Sequence, residues 1–153
     1  MSKLTIGLIA DTHIPHRLDR LPQAVLDVFA GVDMILHAGD VDDPTALAPL
    51  EAIAPVHAVR GNFHFVSLSD GGASLPKVIA LDLAGKHIVL THGYWPGPLR
   101  FLFKGLHLLG MFLGVTTNDV LNRRIVRRLV DLYPEADIVV FGHTHRLCLT
   151  AVG

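Results

Sequence analysis

Met34-Ile35-Leu36-His37-Ala38-Gly39-Asp40 is a short apolar run that stops abruptly at Gly-Asp. Four other runs end in a similar way. Residues 4–10 lead into Asp11-Thr12-His13, and residues 56–59 pass through Arg60 into Gly61-Asn62. Residues 88–90 enter Thr91-His92-Gly93, and residues 138–141 enter Gly142-His143-Thr144-His145. If these runs are strands of one sheet, their C-terminal tips bring Asp11, His13, Asp40, Asn62, His92, His143 and His145 to one edge. Open α/β sheets bind ligands outside the carboxyl ends of their strands. Imidazole and oxygen donors gathered there form the donor set of a metal site. Asp40, on the second run, is the candidate for a carboxylate shared between two ions.

The chain around this edge reads as one domain, residues 1–153, large enough to bury a core. Half of its residues are hydrophobic, 18% are charged, and the formal net charge is −1. Nothing in that balance points to nucleic-acid binding by bulk electrostatics. Ten histidines form the one compositional hint of metal chemistry. Cys148 is the only cysteine, so no internal disulfide can form. Its alternating setting, Leu147-Cys148-Leu149-Thr150, reads as a buried strand thiol. The first strand begins within a few residues of Met1, leaving no room for a signal peptide, and the expected location is cytoplasmic.

Apolar runs bounded by turn residues predict strands over residues 3–10, 33–38 and 56–60. Between them, helical spacing predicts a helix over 19–30 with Pro22 in its first turn. A second helix opens at Asp43-Pro44 and runs to about Ala52. This β-α-β-α-β start predicts a parallel, right-handed arrangement. Residues 63–74 read as a loop, and residues 77–83 and 86–91 as a hairpin turned by Ala84-Gly85. A helix is expected over 116–133, stopped by Pro134, with strands over 137–141 and 146–152. Residues 96–115 form an apolar helical insertion whose cations, Arg100 and Lys104, fall with His107 on one narrow stripe. A buried or subunit-contacting helix, a lid over the site and a membrane-surface helix are the three readings of it.

Each motif alone has an ordinary reading as an Asx turn, a tight turn or a structural histidine. The set of five successive strand ends, each bearing one or two ligand types, does not. In order, Asp11-Thr12-His13, Gly39-Asp40, Gly61-Asn62, Thr91-His92-Gly93 and Gly142-His143-Thr144-His145 resemble the motifs of the calcineurin-like metallophosphoesterases. Within that superfamily the chain looks most like the small single-domain phosphodiesterases, from residue 4 to about 146. The resemblance implies an α/β fold, a four-layer α/β/β/α sandwich with two mixed sheets, here with its C-terminal strands shortened. It also implies two divalent metal ions, manganese foremost, with iron, zinc or nickel as alternatives. One ion would take Asp11, His13, Asp40 and His145; the other Asp40, Asn62, His92 and His143. The implied reaction is hydrolysis of a small phosphoester by a hydroxide bridging the ions, with Asp40 and Asn62 in catalytic roles.

The residue types suit that chemistry. Bridging two cations needs an anion with two oxygens, which Asp40 supplies. Asn62 offers a neutral carbonyl oxygen and an amide that can donate to phosphate. The match departs at Gly61-Asn62-Phe63-His64, where Phe63 fills the position of the family's general acid and cannot donate a proton. His64, one place along, is the candidate substitute. His16, His37, His57, His87 and His107 are assigned to structural or surface roles. The basic patch Arg123, Arg124, Arg127 and Arg128 reads as a solvated helix face. Substrate selectivity falls to loops around His64, Tyr94 and Trp95. An exposed edge on the last strand predicts a homo-oligomer. The expected partners are thus a small-molecule phosphoester and a second copy, with peripheral membrane contact through residues 99–113 and no nucleic acid. The alternative function is a protein-binding scaffold of the same fold with a vestigial metal site.

Overall fold

The computed structural model describes residues 3–62, 73–93 and 100–151. Phe63, His64, Tyr94, Trp95 and residues 63–72 of the expected 63–74 loop lie outside the described residues. The five apolar runs divide between two three-stranded sheets. The first holds β1 (Ile6–Ile9), β2 (Met34–His37) and β3 (Val56–Ala58), in that order and parallel throughout. The second pairs β4 (Val78–Leu83) antiparallel with β5 (Lys86–Thr91), which runs parallel to β6 (Ile138–Val140). Ala84 and Gly85 turn the hairpin with φ of 50° and 76°, the left-handed pair that a two-residue turn needs.

The alternation along β2 organises both cores. Ile35 lies in a cluster with Phe29 of α1 (Gln23–Phe29) and with Leu47 and Leu50. Leu47 ends a short 3-10 turn (Pro44–Leu47), and Leu50 belongs to α2 (Ala48–Glu51). Leu36, one residue along, points to the opposite face. It packs in a second cluster with Ala38, Val59 and, from the other sheet, Ile88 and Leu90. The two sheets therefore meet face to face, with α1 and α2 on the outer side of the first. Ile35, Leu36 and Leu90 are each at most 1% exposed; burial of this kind is worth roughly 1.5–3 kcal/mol per side chain. A parallel strand buried on both faces has to read as a nearly continuous apolar run, which is what Met34-Ile35-Leu36 is.

Several expected boundaries shift. Pro22 stands at the N-cap of α1 with ψ of 141°, so the helix begins at Gln23, four residues after Asp19. The helix expected from Asp43 is split into the 3-10 turn and α2, with Asp43 capping by accepting from the Thr45 N–H at 2.9 Å. The helix expected over 116–133 is α4 (Asn118–Leu132), whose N-cap Thr117 accepts from the Val120 N–H and which buries Asn122, Ile125 and Leu129. The final strand expected over 146–152 is not formed at residues 146–151. No described strand pairs with that segment, so Leu147 and Leu149 are fully exposed and Cys148 is an exposed thiol rather than a buried one. The edge on which a homo-oligomer was expected is then offered by β6 rather than by residues 146–152.

The apolar insertion is a helix, α3 (Arg100–Phe112). It ends in a Schellman arrangement: Val115 N–H donates to Gly110 O at 2.8 Å and Gly114 N–H to Met111 O at 3.0 Å, with Gly114 at φ 69°. Its described apolar side chains are not buried within the chain, so of the first reading only subunit contact is compatible with the structure. Leu102, Leu106, Leu108 and Leu109 are all more than half exposed, and Phe112 is 88% exposed. Among the described residues no helix is long and apolar enough to cross a membrane.

Candidate metal centre

The loops leaving β1 and β2 are zipped together beyond the sheet. Ala38 N–H donates to Ile9 O at 2.8 Å, Asp11 N–H to Gly39 O at 2.9 Å, His13 N–H to Asp40 O at 2.9 Å, and Asp43 N–H to Ile14 O at 3.1 Å. Along this ladder Asp11, His13, Asp40 and Asp42 adopt φ between 48° and 61°, and His143 and His145 in the third loop take 88° and 52°. Left-handed backbone is uncommon outside glycine and is enriched at Asp, Asn and His. Where it recurs, the surroundings over-determine it, and such positions cluster at functional sites.

Asp40 stands at the middle, 5% exposed. Its Oδ1 accepts from the Asn62 N–H at 2.8 Å. Its Oδ2 lies 3.4 Å from His13 Nε2 and 3.3 Å from His92 Nε2. Asn62 Oδ1 lies 3.2 Å from that same His92 nitrogen. Both Asp11 oxygens accept from the His143 N–H at 3.0 Å. The His145 ring stacks on His13 with centroids 5.4 Å apart, and His143 meets His92 edge-on at 5.2 Å. All seven side chains predicted from the strand ends thus converge. Within them, donor atoms of Asp11, His13 and His145 lie within 4.8 Å of one another, as do those of Asp11, Asp40 and His92. Asp11 belongs to both groups, which the pattern of the motifs did not suggest.

Close approach to Asp40 also explains Gly61, because a Cβ there would collide with the Asp40 carboxylate. Gly142 has the same role for Asp11. A Cβ at that position would sit 2.8 Å from Ala38 O and 3.2 Å from Asp11 Oδ2.

The ring nitrogens test whether a cation fits. His92 Nδ1 lies 2.8 Å from the Ala38 carbonyl, which can only accept, so this nitrogen carries a proton. Its Nε2 then faces Asp40 and Asn62 oxygens either with a second proton or with a lone pair. Burial is the largest single influence and opposes the charged ring, but the hydrogen bond and charge of Asp40, the Ala38 carbonyl and the charge of Asp11 together outweigh it, and the His92 pKa is raised. Burial likewise opposes ionisation of Asp40, yet the hydrogen bond and charge of His92, with the charge of His13, hold its carboxyl at about 2. An ionised carboxylate facing two imidazole Nε2 atoms is a place where positive charge is required. A proton meets that need in the free protein, and a divalent cation meets it equally well. The donor set fits.

Behind these seven stand residues that the sequence did not join to them: Asp42 was not singled out, and His16 and His37 were assigned structural or surface roles. Asp42, 1% exposed, receives His13 Nδ1 at 3.3 Å and His16 Nδ1 at 3.0 Å. His37 is buried beneath the site. Its Nδ1 accepts from the Gly39 N–H at 3.3 Å, which leaves Nε2–H to donate to Thr12 Oγ1 at 3.1 Å. Burial and the charge of His92 lower its pKa to about 4, so it stands neutral. The Thr144 hydroxyl donates to Asn122 Oδ1, tying the last loop to α4. The one available signal was polar side chains inside apolar surroundings, as at His37. By contrast His87 pairs at the surface with Asp82 at 2.8 Å, as expected of it.

Comparison with known proteins agrees with this geometry. Residues 4–153 match the model of the calcineurin-like phosphoesterase superfamily domain. A probable metallophosphoesterase of Methanothermobacter thermautotrophicus is 34% identical over 146 residues, covering 94% of this chain and 67% of that protein. One from Methanocaldococcus jannaschii is 34% identical over 142 residues, covering 93% of this chain and 59% of that protein. The chain thus spans about three fifths to two thirds of these relatives. Among solved structures, Vps29 of Chaetomium thermophilum shares the fold with a TM-score of 0.65 at 17% identity, covering 98% of this chain and 65% of that one.

Proposed function

Because the chain belongs to the calcineurin-like phosphoesterase superfamily, we propose that it is a dinuclear metal-dependent phosphodiesterase acting on a small phosphoester. The observation that carries this reading is the pair of imidazole Nε2 atoms, from His13 and His92, aimed at one ionised carboxylate, Asp40. One ion takes Asp11, His13, Asp40 and His145, and the close grouping of Asp11, His13 and His145 supports that set. The other takes Asp40, Asn62, His92 and His143, supported by the convergence of Asp40 and Asn62 oxygens on His92. Manganese is the first candidate, with iron, zinc or nickel as alternatives. When bound, such ions activate water and neutralise phosphoryl oxygens.

The chain's own residues set the rest. Two carboxylates, Asp11 and Asp40, against two divalent ions leave the centre net positive, matched to a phosphodiester anion. Neutral Asn62 adds an oxygen ligand without cancelling that charge, and its amide can donate to the phosphate. Asp40, contacted from both sides, holds the two halves in register. With Phe63 in the usual acid position, His64 is the proton donor to the leaving group, and substrates with good leaving groups are favoured. The test is hydrolysis of bis(p-nitrophenyl) phosphate by chelator-treated protein as Mn²⁺ is returned, with Asp40→Asn as control. Metal-dependent turnover lost in Asp40→Asn supports the enzyme. Two bound metals without turnover would favour a scaffold of the same fold.

A second reading concerns where the enzyme works. The exposed apolar surface of α3, especially Leu106, Leu109 and Phe112, favours contact with a lipid surface. In that setting the helix would lie in the interface, since thirteen residues rise only about 20 Å and cannot span a bilayer.

A further inference from the structure

Asp42 is neither one of the seven converging side chains nor exposed to solvent. Its carboxylate is 1% exposed and is engaged from two sides by imidazoles. His13 Nδ1 lies 3.3 Å from each of its oxygens, and His16 Nδ1 lies 3.0 Å from Oδ2. An ionised carboxylate only accepts, so each Nδ1 must carry the proton of its ring. For His13 this leaves Nε2, 3.4 Å from Asp40 Oδ2, as the nitrogen that exchanges its proton for a cation: with Nδ1–H held by Asp42, loss of any Nε2 proton leaves a lone pair there. A free imidazole side chain prefers the opposite tautomer, with the proton on Nε2, in which that nitrogen cannot bind a metal.

We infer that Asp42 is a positioning residue of the metal centre: it selects the Nδ1–H tautomer of His13, fixes its ring plane, and so raises the affinity of the site for its cation. His16 shares the carboxylate and holds it from the solvent side, being itself one third exposed. The inference rests on the reading of His13 as a metal ligand. Carboxylates behind metal-bound histidines act in this manner generally, and their loss costs about 10–100-fold in metal affinity.

A purely architectural role would be to tie the loops after β1 and β2 together. Those loops are already joined through backbone by Asp11 N–H to Gly39 O, His13 N–H to Asp40 O and Asp43 N–H to Ile14 O. The side chain of Asp42 is therefore not needed to hold them. Its burial against two rings has a more specific use. Asp42 also sits at φ 61° and forms an isolated bridge with Ile14, so its direction is set by the backbone before any ligand arrives.

The test has two independent readouts. Long-range ¹H–¹⁵N correlation of metal-free wild-type protein at alkaline pH, with His13→Gln to assign the peaks, should place the His13 proton on Nδ1; a proton on Nε2 overturns the inference. Calorimetric titration with Mn²⁺ and with Zn²⁺ should show one of the ions bound ~10-fold more weakly by Asp42→Asn and up to ~100-fold by Asp42→Ala. His16→Gln should weaken it less than Asp42→Ala does. Circular dichroism checks that each variant folds, and where Asp42→Ala does not, Asp42→Asn and the wild-type spectrum decide. Wild-type affinity retained in folded Asp42→Ala overturns the inference. Absence of metal binding by the wild type instead overturns the metal-centre reading, and the tautomer of His13 then decides the role of Asp42 alone.

Discussion

His37 ends β2 with 1% of its surface exposed, and burial together with the charge of His92 moves its pKa from 6.5 to about 4. Acidification should therefore destabilise the metal-free protein through this one ring. The unfolded chain takes up the proton near pH 6.5 and the folded chain only near pH 4. Between those values the unfolded state binds more protons, so stability falls as pH drops through the window. At about 1.4 kcal/mol for each tenfold change in proton affinity, the full loss is ~3 kcal/mol. Two neighbours act in other windows and must be separated. Asp40, whose carboxyl is held at about 2 against a usual 3.8, contributes above pH 3.8 and loses that contribution as pH falls toward 2. His92, with its pKa raised, contributes below pH 6.5 and loses that contribution as pH rises through its folded value. A single wild-type curve mixes these opposing slopes. Guanidinium unfolding of chelator-treated wild type and His37→Gln, stepped from pH 7 to 4.5, isolates His37 in the difference. The wild-type advantage at pH 7 should shrink by about 2–3 kcal/mol across the steps. Parallel curves would refute the reasoning and mean that the ring is either protonated in the fold or not buried there.

Mn²⁺ at about one hundred times its dissociation constant should stabilise the fold by ~2.7 kcal/mol; at roughly 2–4 °C per kcal/mol for a chain of this size, Tm should rise by about 5–11 °C in a thermal melt. An unchanged Tm under conditions of metal-dependent hydrolysis would contradict a centre built from Asp11, Asp40 and the histidines. Asp40→Asn should lower that hydrolysis at least ~100-fold, the order seen when one preorganised electrostatic contact is lost, and wild-type turnover in the variant would remove Asp40 from the centre. Replacing Leu106, Leu109 and Phe112 by Ser should abolish co-sedimentation with anionic liposomes while leaving bis(p-nitrophenyl) phosphate turnover in place; wild-type protein that stays in the supernatant would dismiss lipid contact.

The fold was legible where pattern and burial coincide. Met34–His37 reads as a doubly buried strand and is one, and the hairpin at Ala84-Gly85 follows from its turn residues alone. The failures have physical causes. Alternation over Leu147-Cys148-Leu149 announces a strand only if a neighbour supplies hydrogen bonds, and no described strand does, so the same residues stand exposed. Pro22 sets its own φ but leaves ψ free, and at 141° it caps α1 rather than entering it. For α3, an apolar sequence was read as buried or subunit-contacting, and its described apolar side chains are exposed in this chain; hydrophobicity states what a surface would prefer to touch, not what is there to touch it. The seven converging side chains were legible as one group because each follows a strand end. Asp42 was not singled out, and His16 and His37, read as structural or surface residues, were not tied to the site, because these side-chain partners come from loops 25 or more residues away.

The backbone links part of the two sets. Asp11 and His13, Asp40 and Asp42, and His143 and His145 are pairs two residues apart, and every member is left-handed. That conformation costs an ordinary L-residue ~1–2 kcal/mol and is least unfavourable for short polar side chains that bond locally. The letters Asp-x-His, Asp-x-Asp and His-x-His therefore suit both the proposed cation site and what the turn tolerates. Asp42 satisfies the turn as Asp40 does, yet spends its carboxylate on His13 and His16 rather than at the centre of the ligand set. Membership in an alternating left-handed pair is shared by five of the seven converging residues and by Asp42, whereas Asn62, His92, His16 and His37 stand outside it. That pairing accounts for a support residue sitting two places from the most central carboxylate in the site.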